Sequence, residues 1–453
     1  MRFVYSLITL LFLPMAFGHL LQRSRHQPAY RRHWGERLGL APRLHGPVIW
    51  LHAVSVGETR AAAPLLEALL QRYPDHGVLL THTTPTGRAT GRELFGAFGD
   101  RVVQAYLPYD LPWAVTAFLR RTRPRLGLLM ETEIWPNLYA AAARRGIPLF
   151  LVNARMSEKS AAGYARLGRL TPRTLNHLTA IAAQTEADAA RLAALGATHI
   201  SVCGNLKFDV APPADNAART AELRALFGPR PVWIAASTRE SGGASEEAMI
   251  VAAWLQKMES DPERMGSDSI STDGCSQASA NSEEKMVSDP IFFPLLVLVP
   301  RHPQRFEQVA ALLTAHGVRF LRRSEGKAAD ATTQVVLGDS MGEMAAYYGA
   351  ADLAFIGGSL LPLGGQNLIE AAAAGCPVLI GPHSFNFAAV SEAALAAGAA
   401  VRVADAEALV HEVMTLFAAP ERRTAMRAAG QAFTAQQRGA TARTLALLKT
   451  VLG

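Results

Sequence analysis

Short, nearly uninterrupted apolar runs alternate with Ala/Leu-rich stretches of helical period, and the alternation occurs twice along the chain. The first series is VIWLHAV (48–54), GVLLTHTT (77–84), VVQAYLP (102–108), RLGLLMET (125–132), PLFLVNAR (148–155), AIAAQT (180–185) and ISVCG (200–204). The second is PVWIAAST (231–238), LLVLVPR (295–301), QVVLGD (334–339), LAFIGGS (353–359) and PVLIGP (377–382). Helical stretches such as 59–73 lie between them. Strands without polar alternation are buried on both faces, which implies parallel sheets covered by helices on either side. The Pro-containing stretch DVAPPADNA (209–217) reads as the linker. The expected fold is α/β: two Rossmann-like doubly wound domains facing a cleft, with ligands at the carboxyl ends of the strands. A length of 453 residues, 49% of them apolar, supplies material for two cores.

Residues 3–21, FVYSLITLLFLPMAFGHLL, contain no Lys, Arg, Asp or Glu. As a helix they just span a hydrocarbon core of ~30 Å. The segment reads as an uncleaved membrane anchor (1–22); a peripheral helix and a cleaved signal peptide are the alternatives. Between Gln22 and Arg43 there are six Arg (Arg23, Arg25, Arg31, Arg32, Arg37, Arg43) against one acid, Glu36. That excess suits anionic membrane lipids, and by the positive-inside rule it places the rest of the chain in the cytoplasm. No basic helix or aromatic-interleaved stripe points to nucleic acid. Cys203, Cys275 and Cys376 are odd in number and far apart, which argues against a disulfide framework. The expected domains are 45–209 and 218–430, followed by a C-terminal helix (431–453). The Ser/Asp/Glu-rich stretch 259–290 is expected to be a disordered insertion within the second domain.

Candidate chemistry sits where strands end. After 48–54 come Ser55-Val56-Gly57-Glu58, with Gly57 expected to permit a tight turn and Glu58 near a helix N-terminus. That carboxylate is placed either to take a proton from an acceptor hydroxyl or simply to stabilise the helix end. In Met130-Glu131-Thr132-Glu133, with the backbone continuing extended past the strand end, one carboxylate is expected to face the cleft while the other caps or pairs locally. Lys207, in NLKFD (205–209), can offset developing negative charge. In the second half, Pro300-Arg301, Met341-Gly342-Glu343, Gly357-Gly358-Ser359 and Gly364-Gly365-Gln366-Asn367 follow strands, with a helix expected to start at Met341-Gly342-Glu343. They suggest a nucleotide site in which backbone N–H groups approach phosphate and Glu370 accepts from ribose. The chain has neither a GxxxxGK[ST] loop nor an Asp-x-Asp pair, so a P-loop NTPase and an Asp-x-Asp metal site are not expected.

The strings SVGET, TPTG, YLPYDLP, METEIWPN, LKFD, VPRHP, GDSMGE, FIGGS and GPHSFNF, in this order and over nearly the whole chain, resemble the 3-deoxy-D-manno-oct-2-ulosonic acid (Kdo) transferases of lipopolysaccharide assembly. The resemblance implies a GT-B-like fold, with CMP-Kdo as donor and a lipid A precursor, lipid IVA, as acceptor. It also implies an inner-membrane enzyme acting on the cytoplasmic face. By motif, Glu58 is similar to the proton acceptor, and Glu131 and Lys207 to the groups that stabilise the transition state. Pro300, Arg301, Met341, Gly342, Glu343, Asn367, Leu368, Ile369 and Glu370 match the donor contacts. The chain departs from the pattern in reading Asn367-Leu368-Ile369-Glu370 where the family has Asn-Pro-Leu-Glu. An inverting transfer with neither metal nor resident cofactor is expected. A transferase using a UDP-sugar and a non-catalytic nucleotide sensor are the competing readings.

Overall fold

The computed structural model describes residues 1–25, 27–260 and 293–452. The insertion expected at 259–290 therefore lies outside the described residues, apart from its first two. The chain forms two compact units: Met1–Ala211 with Gln437–Gly453, and Pro212–Gln436.

The first unit carries β1 (Val48–His52), β2 (Gly77–His82), β3 (Val102–Tyr106), β4 (Leu126–Met130), β5 (Leu149–Ala154), β6 (Ala180–Ala183) and β7 (Ile200–Val202). All pairs are parallel, in the order β3-β2-β1-β4-β5-β6-β7. The chain winds outward from β1 to β3, then returns to place β4 on the other flank of β1. The loops after β1 and β4 therefore part, leaving a crevice at their carboxyl ends. Every residue of β1, β4 and β5 is buried, as the apolar runs require. Trp50 meets Phe118 edge-on at 5.2 Å and donates its indole N–H to Thr81.

In the second unit, β8 (Val232–Thr238) is followed by the two-residue strands β9 (Glu240–Ser241) and β10 (Ala244–Ser245). Then come β11 (Leu295–Pro300), β12 (Phe320–Arg322), β13 (Val335–Leu337), β14 (Leu353–Ile356), β15 (Val378–Ile380) and β16 (Ala400–Arg402). The main sheet has the order β12-β13-β11-β8-β14-β15-β16, so β8 and β14 flank its switch point. Gly357 follows β14 where a Cβ would lie 2.6 Å from the Ser237 carbonyl oxygen, so only glycine lets the two strand ends approach.

Three local expectations are corrected. Gly57 lies inside the helix Val56–Arg72 and does not adopt a positive φ; Ser55 makes the turn as N-cap. The helix after β13 begins at Met344, with Glu343 as N-cap, and not at Met341. The continuous C-terminal helix of 431–453 is broken: one helix ends at Gln437 and another runs Ala440–Leu452. Gly439, at φ 95°, makes the break. The Asp209 carboxylate then accepts from the Gly439 and Thr441 N–H groups at 2.7 and 2.6 Å, so the LKFD string also ties the last helix into the first unit.

The helix Arg2–Ser24 is long and apolar enough to cross a membrane. One arginine of the basic cluster beyond it, Arg37, is not on the surface. Arg37 is buried, stacks over the Tyr106 ring at 4.1 Å and donates to the Thr83 carbonyl. Its neighbour Glu36 is also buried and accepts from Arg88 and the Tyr106 N–H. A buried guanidinium needs such partners, and these come from strand ends far along the chain.

Candidate active site

In the first unit the crevice between β1 and β4 gathers Glu58, Glu131 and Lys207. The Glu58 carboxylate accepts from the Val54 N–H at 2.9 Å and the Ser55 hydroxyl at 3.0 Å, close to a capping box. The helix-end and proton-acceptor readings of Glu58 thus meet in one geometry. Burial pushes its pKa up to about 7, with the charges of Glu131 and Glu133 adding to the rise and the Val54 and Ser55 donors opposing it. A carboxylate poised there is matched to proton transfer near neutral pH.

Glu131 sits just beyond β4 at φ 56°, a left-handed conformation that is uncommon and costly outside glycine. The extended geometry expected for Glu131 to Glu133 is therefore replaced by a bend. The Glu131 carboxylate pairs with the Lys207 ammonium at 3.3 Å, both side chains 19% exposed. The Asn153 side-chain oxygen Oδ1 accepts from the Leu206 N–H and the Asn205 Oδ1 from the Lys207 N–H, so the lysine backbone is fixed to the end of β5. Glu133 accepts from the Trp135 indole at 2.9 Å and lies 3.6 Å from Nε2 of the fully buried His52. A cleft of about 290 Å³ adjoins it, lined by Tyr5, residues 132–136, Tyr164, Leu167 and Leu170 among others. Lys207→Met is expected to leave Glu131 uncompensated beside Glu58. The Glu58 pKa then rises further, and the acidic limb of the pH–rate profile moves to higher pH; a pH titration of turnover checks it.

The second-unit candidates gather at the carboxyl edge of its sheet. The Arg301 N–H donates to the Thr238 carbonyl, joining the ends of β11 and β8. Burial and the charges of Arg301 and Arg239 lower the pKa of His302, so this corner holds positive charge from two arginines. Arg301 and Glu370 both act electrostatically on the buried Tyr348 phenol. The Asn367 side-chain oxygen Oδ1 accepts from the Ile369 N–H, and its Nδ2 donates to Glu370 at 3.0 Å. Leu368 and Ile369 are buried beneath that turn. Met341 is 62% exposed, and Gly342, at φ 80°, has open space where a Cβ would stand. Glu343 is paired with Arg323 at 3.1 Å.

One expectation fails here. The N–H groups of Gly358 and Ser359, read as approaching a phosphate, already have an anion. The fully buried Glu246 carboxylate accepts from Gly358, Ser359, Leu360 and Arg239 at 2.6, 3.0, 2.9 and 2.9 Å. In the sequence Glu246 is one of two acids opening the helix Glu246–Ser260, with nothing to distinguish it from an ordinary helix-start carboxylate. Its neighbour Glu247, also buried, accepts from Thr238, Ser245 and Arg305.

The match to known proteins covers both units. A family model described as 3-deoxy-D-manno-octulosonic-acid transferase matches residues 32–210, and one described as glycosyl transferases group 1 matches 319–433. The 3-deoxy-D-manno-octulosonic acid transferase of Bordetella pertussis is 46% identical over 91% of this chain and 89% of its own. The chain belongs to this family. The transferase of the same name from Haemophilus influenzae is 34% identical over 100% of this chain and 99% of its own. Among solved structures, a UDP-GlcNAc 2-epimerase from Neisseria meningitidis superposes with a TM-score of 0.57 at 14% identity, covering 89% of this chain and all of that one. At that identity the likeness speaks for the two-domain GT-B-like fold alone. Family membership makes the chain a Kdo glycosyltransferase.

Proposed function

We propose that the chain transfers Kdo from CMP-Kdo to the lipid A precursor lipid IVA, with inversion and without a metal, at the cytoplasmic face of the inner membrane. The observation that carries the mechanism is the Glu58 carboxylate, held by two donors with its pKa raised to about 7 beside the Glu131–Lys207 pair. Glu58 takes the proton of an acceptor sugar hydroxyl. The freed oxygen forms a bond to the anomeric carbon of Kdo as the bond from that carbon to the phosphate oxygen breaks, and the electron pair leaves with CMP. Lys207 and Arg301 offset negative charge, the role a metal plays elsewhere. Pro300, Arg301, Met341, Gly342, Glu343 and Asn367–Glu370 form the CMP side of the donor site, and Glu370 is placed to accept from ribose hydroxyls. The exposed apolar stripe of Arg2–Ser24 and the arginines after it support contact with an anionic membrane surface.

The test is mass spectrometry of lipid IVA incubated with detergent-solubilised enzyme, freshly generated CMP-Kdo and EDTA. Kdo-sized increments at a rate unchanged by EDTA are expected. An unmodified acceptor with folded protein and intact donor would refute the donor–acceptor assignment. Increments that disappear with EDTA would refute the metal-free mechanism alone.

A further inference from the structure

Whether the N-terminal helix crosses the bilayer or lies on it is not decided by its composition, but it is decided by how the helix sits on the first unit. Tyr5, Ser6, Thr9, Leu13, Ala16, Phe17, Leu20 and Ser24 are the positions drawn at least partly out of solvent. Their spacing of three to four residues makes one stripe along the whole helix. The stripe is fastened at both ends. Near the start, the Ser6 hydroxyl donates to the Asn137 side chain at 3.1 Å, and Met1 reaches to 3.9 Å of the position a Gly168 Cβ would take. Near the end, Phe17 packs on Trp34 and Tyr109 at 5.0 and 5.7 Å. Ser6 and Phe17 are about 16 Å apart along the axis at ~1.5 Å per residue. A helix that leaves the globular unit to cross a ~30 Å core cannot keep contacts at both ends.

The opposite face is apolar and open: Phe3, Leu7, Leu10, Leu11, Phe12 and Met15 are 81, 48, 47, 70, 55 and 60% exposed. Basic residues flank this face at both ends. Arg23, Arg25, Arg31 and Arg32 are exposed beyond its C-terminus; Arg166, Arg169 and Arg173 are exposed around Leu167, which is 43% exposed and close to Met1 in the fold. An apolar stripe with cations at each end fits acyl chains bordered by anionic headgroups of a single leaflet.

We propose that Arg2–Ser24 is an in-plane anchor: it lies in the headgroup–acyl boundary of one leaflet, with its N-terminus on the same side of the membrane as the rest of the chain. This rests on the reading that the helix meets a bilayer, and not on the donor or acceptor. Its consequence is positional. Tyr5 and Leu167 border the cleft that leads to Glu133, so an acceptor held in that leaflet reaches the crevice without leaving the membrane.

The test uses the full chain with Cys275 replaced by Ser, carrying either Arg2→Cys or, as control, Lys449→Cys, in sealed inverted inner-membrane vesicles. A membrane-impermeant maleimide is expected to label both equally before and after permeabilisation. Labelling of Arg2→Cys only after permeabilisation, with Lys449→Cys labelled throughout, would overturn the proposal and establish a spanning helix. Separately, purified protein is sedimented with vesicles of phosphatidylethanolamine and phosphatidylglycerol. Binding weakened at least about tenfold by Leu7→Glu with Leu11→Glu is expected. No binding by the unaltered chain would overturn the bilayer reading itself, whatever the labelling shows.

Discussion

Glu58→Gln is expected to lower turnover by roughly 10²–10⁴-fold, the contribution of a positioned general base, while thermal stability changes little. The two donors use different carboxylate oxygens; in Gln the amide oxygen can still accept from the Val54 N–H while the NH2 donates to the Ser55 hydroxyl oxygen, so the capping at the helix start is largely kept. The pH profile separates chemistry from packing. With a pKa near 7, Glu58 carries a proton below that pH and cannot accept another. Wild-type turnover should therefore rise with pH through about 7 and level above it, and the residual activity of the variant should lack that limb. Wild-type turnover in a folded Glu58→Gln protein would sink the proton-acceptor role.

Glu246→Leu is expected to have the largest effect on stability. It removes the acceptor shared by the Arg239, Gly358, Ser359 and Leu360 N–H groups, in a site closed to solvent. Each buried N–H left without a partner costs about 1–3 kcal/mol, so at least about 4 kcal/mol is lost, a large share of a domain's usual stability. The second unit should unfold at a temperature lower by roughly 10 °C, read as its own transition by calorimetry, because the two units need not melt together. Glu246→Gln should fall between the two, since one oxygen still accepts while the amide nitrogen opposes two N–H donors. An unchanged melting temperature for Glu246→Leu would mean that other acceptors replace the carboxylate.

The two halves were legible because a strand buried on both faces must be apolar throughout, and the chain shows such runs in two series. That Glu58, Glu131 and Lys207 gather in one crevice was legible for a related reason: the candidate groups all follow strand ends, a doubly wound sheet brings the carboxyl ends of its strands together, and those ends can be located once the runs are found. Glu246 was not legible. An acid in the first turn of a helix is favoured by local electrostatics wherever it occurs, and its four donors come from loops after β8 and β14, more than a hundred residues apart. Arg37 misled for the converse reason. Among five other arginines it looks like a surface charge, and only the approach of Tyr106 and Thr83 buries it. Gly57 and Gly439 show the same limit at short range: one is an ordinary helical residue and the other breaks a helix, and composition does not separate them.

By itself the sequence determined the α/β class, the division into two parallel-sheet units, the apolar N-terminal helix and, through ordered motifs, the family. These follow from local pattern, which hydrophobic burial and strand or helix period translate directly into structure. The tertiary structure alone decided which carboxylates face one another, which backbone donors are already taken, and along which stripe the N-terminal helix is held. Each of those depends on groups distant in the chain meeting at a few ångströms, where desolvation and hydrogen bonding set both the proton affinity of Glu58 and the burial of Glu246.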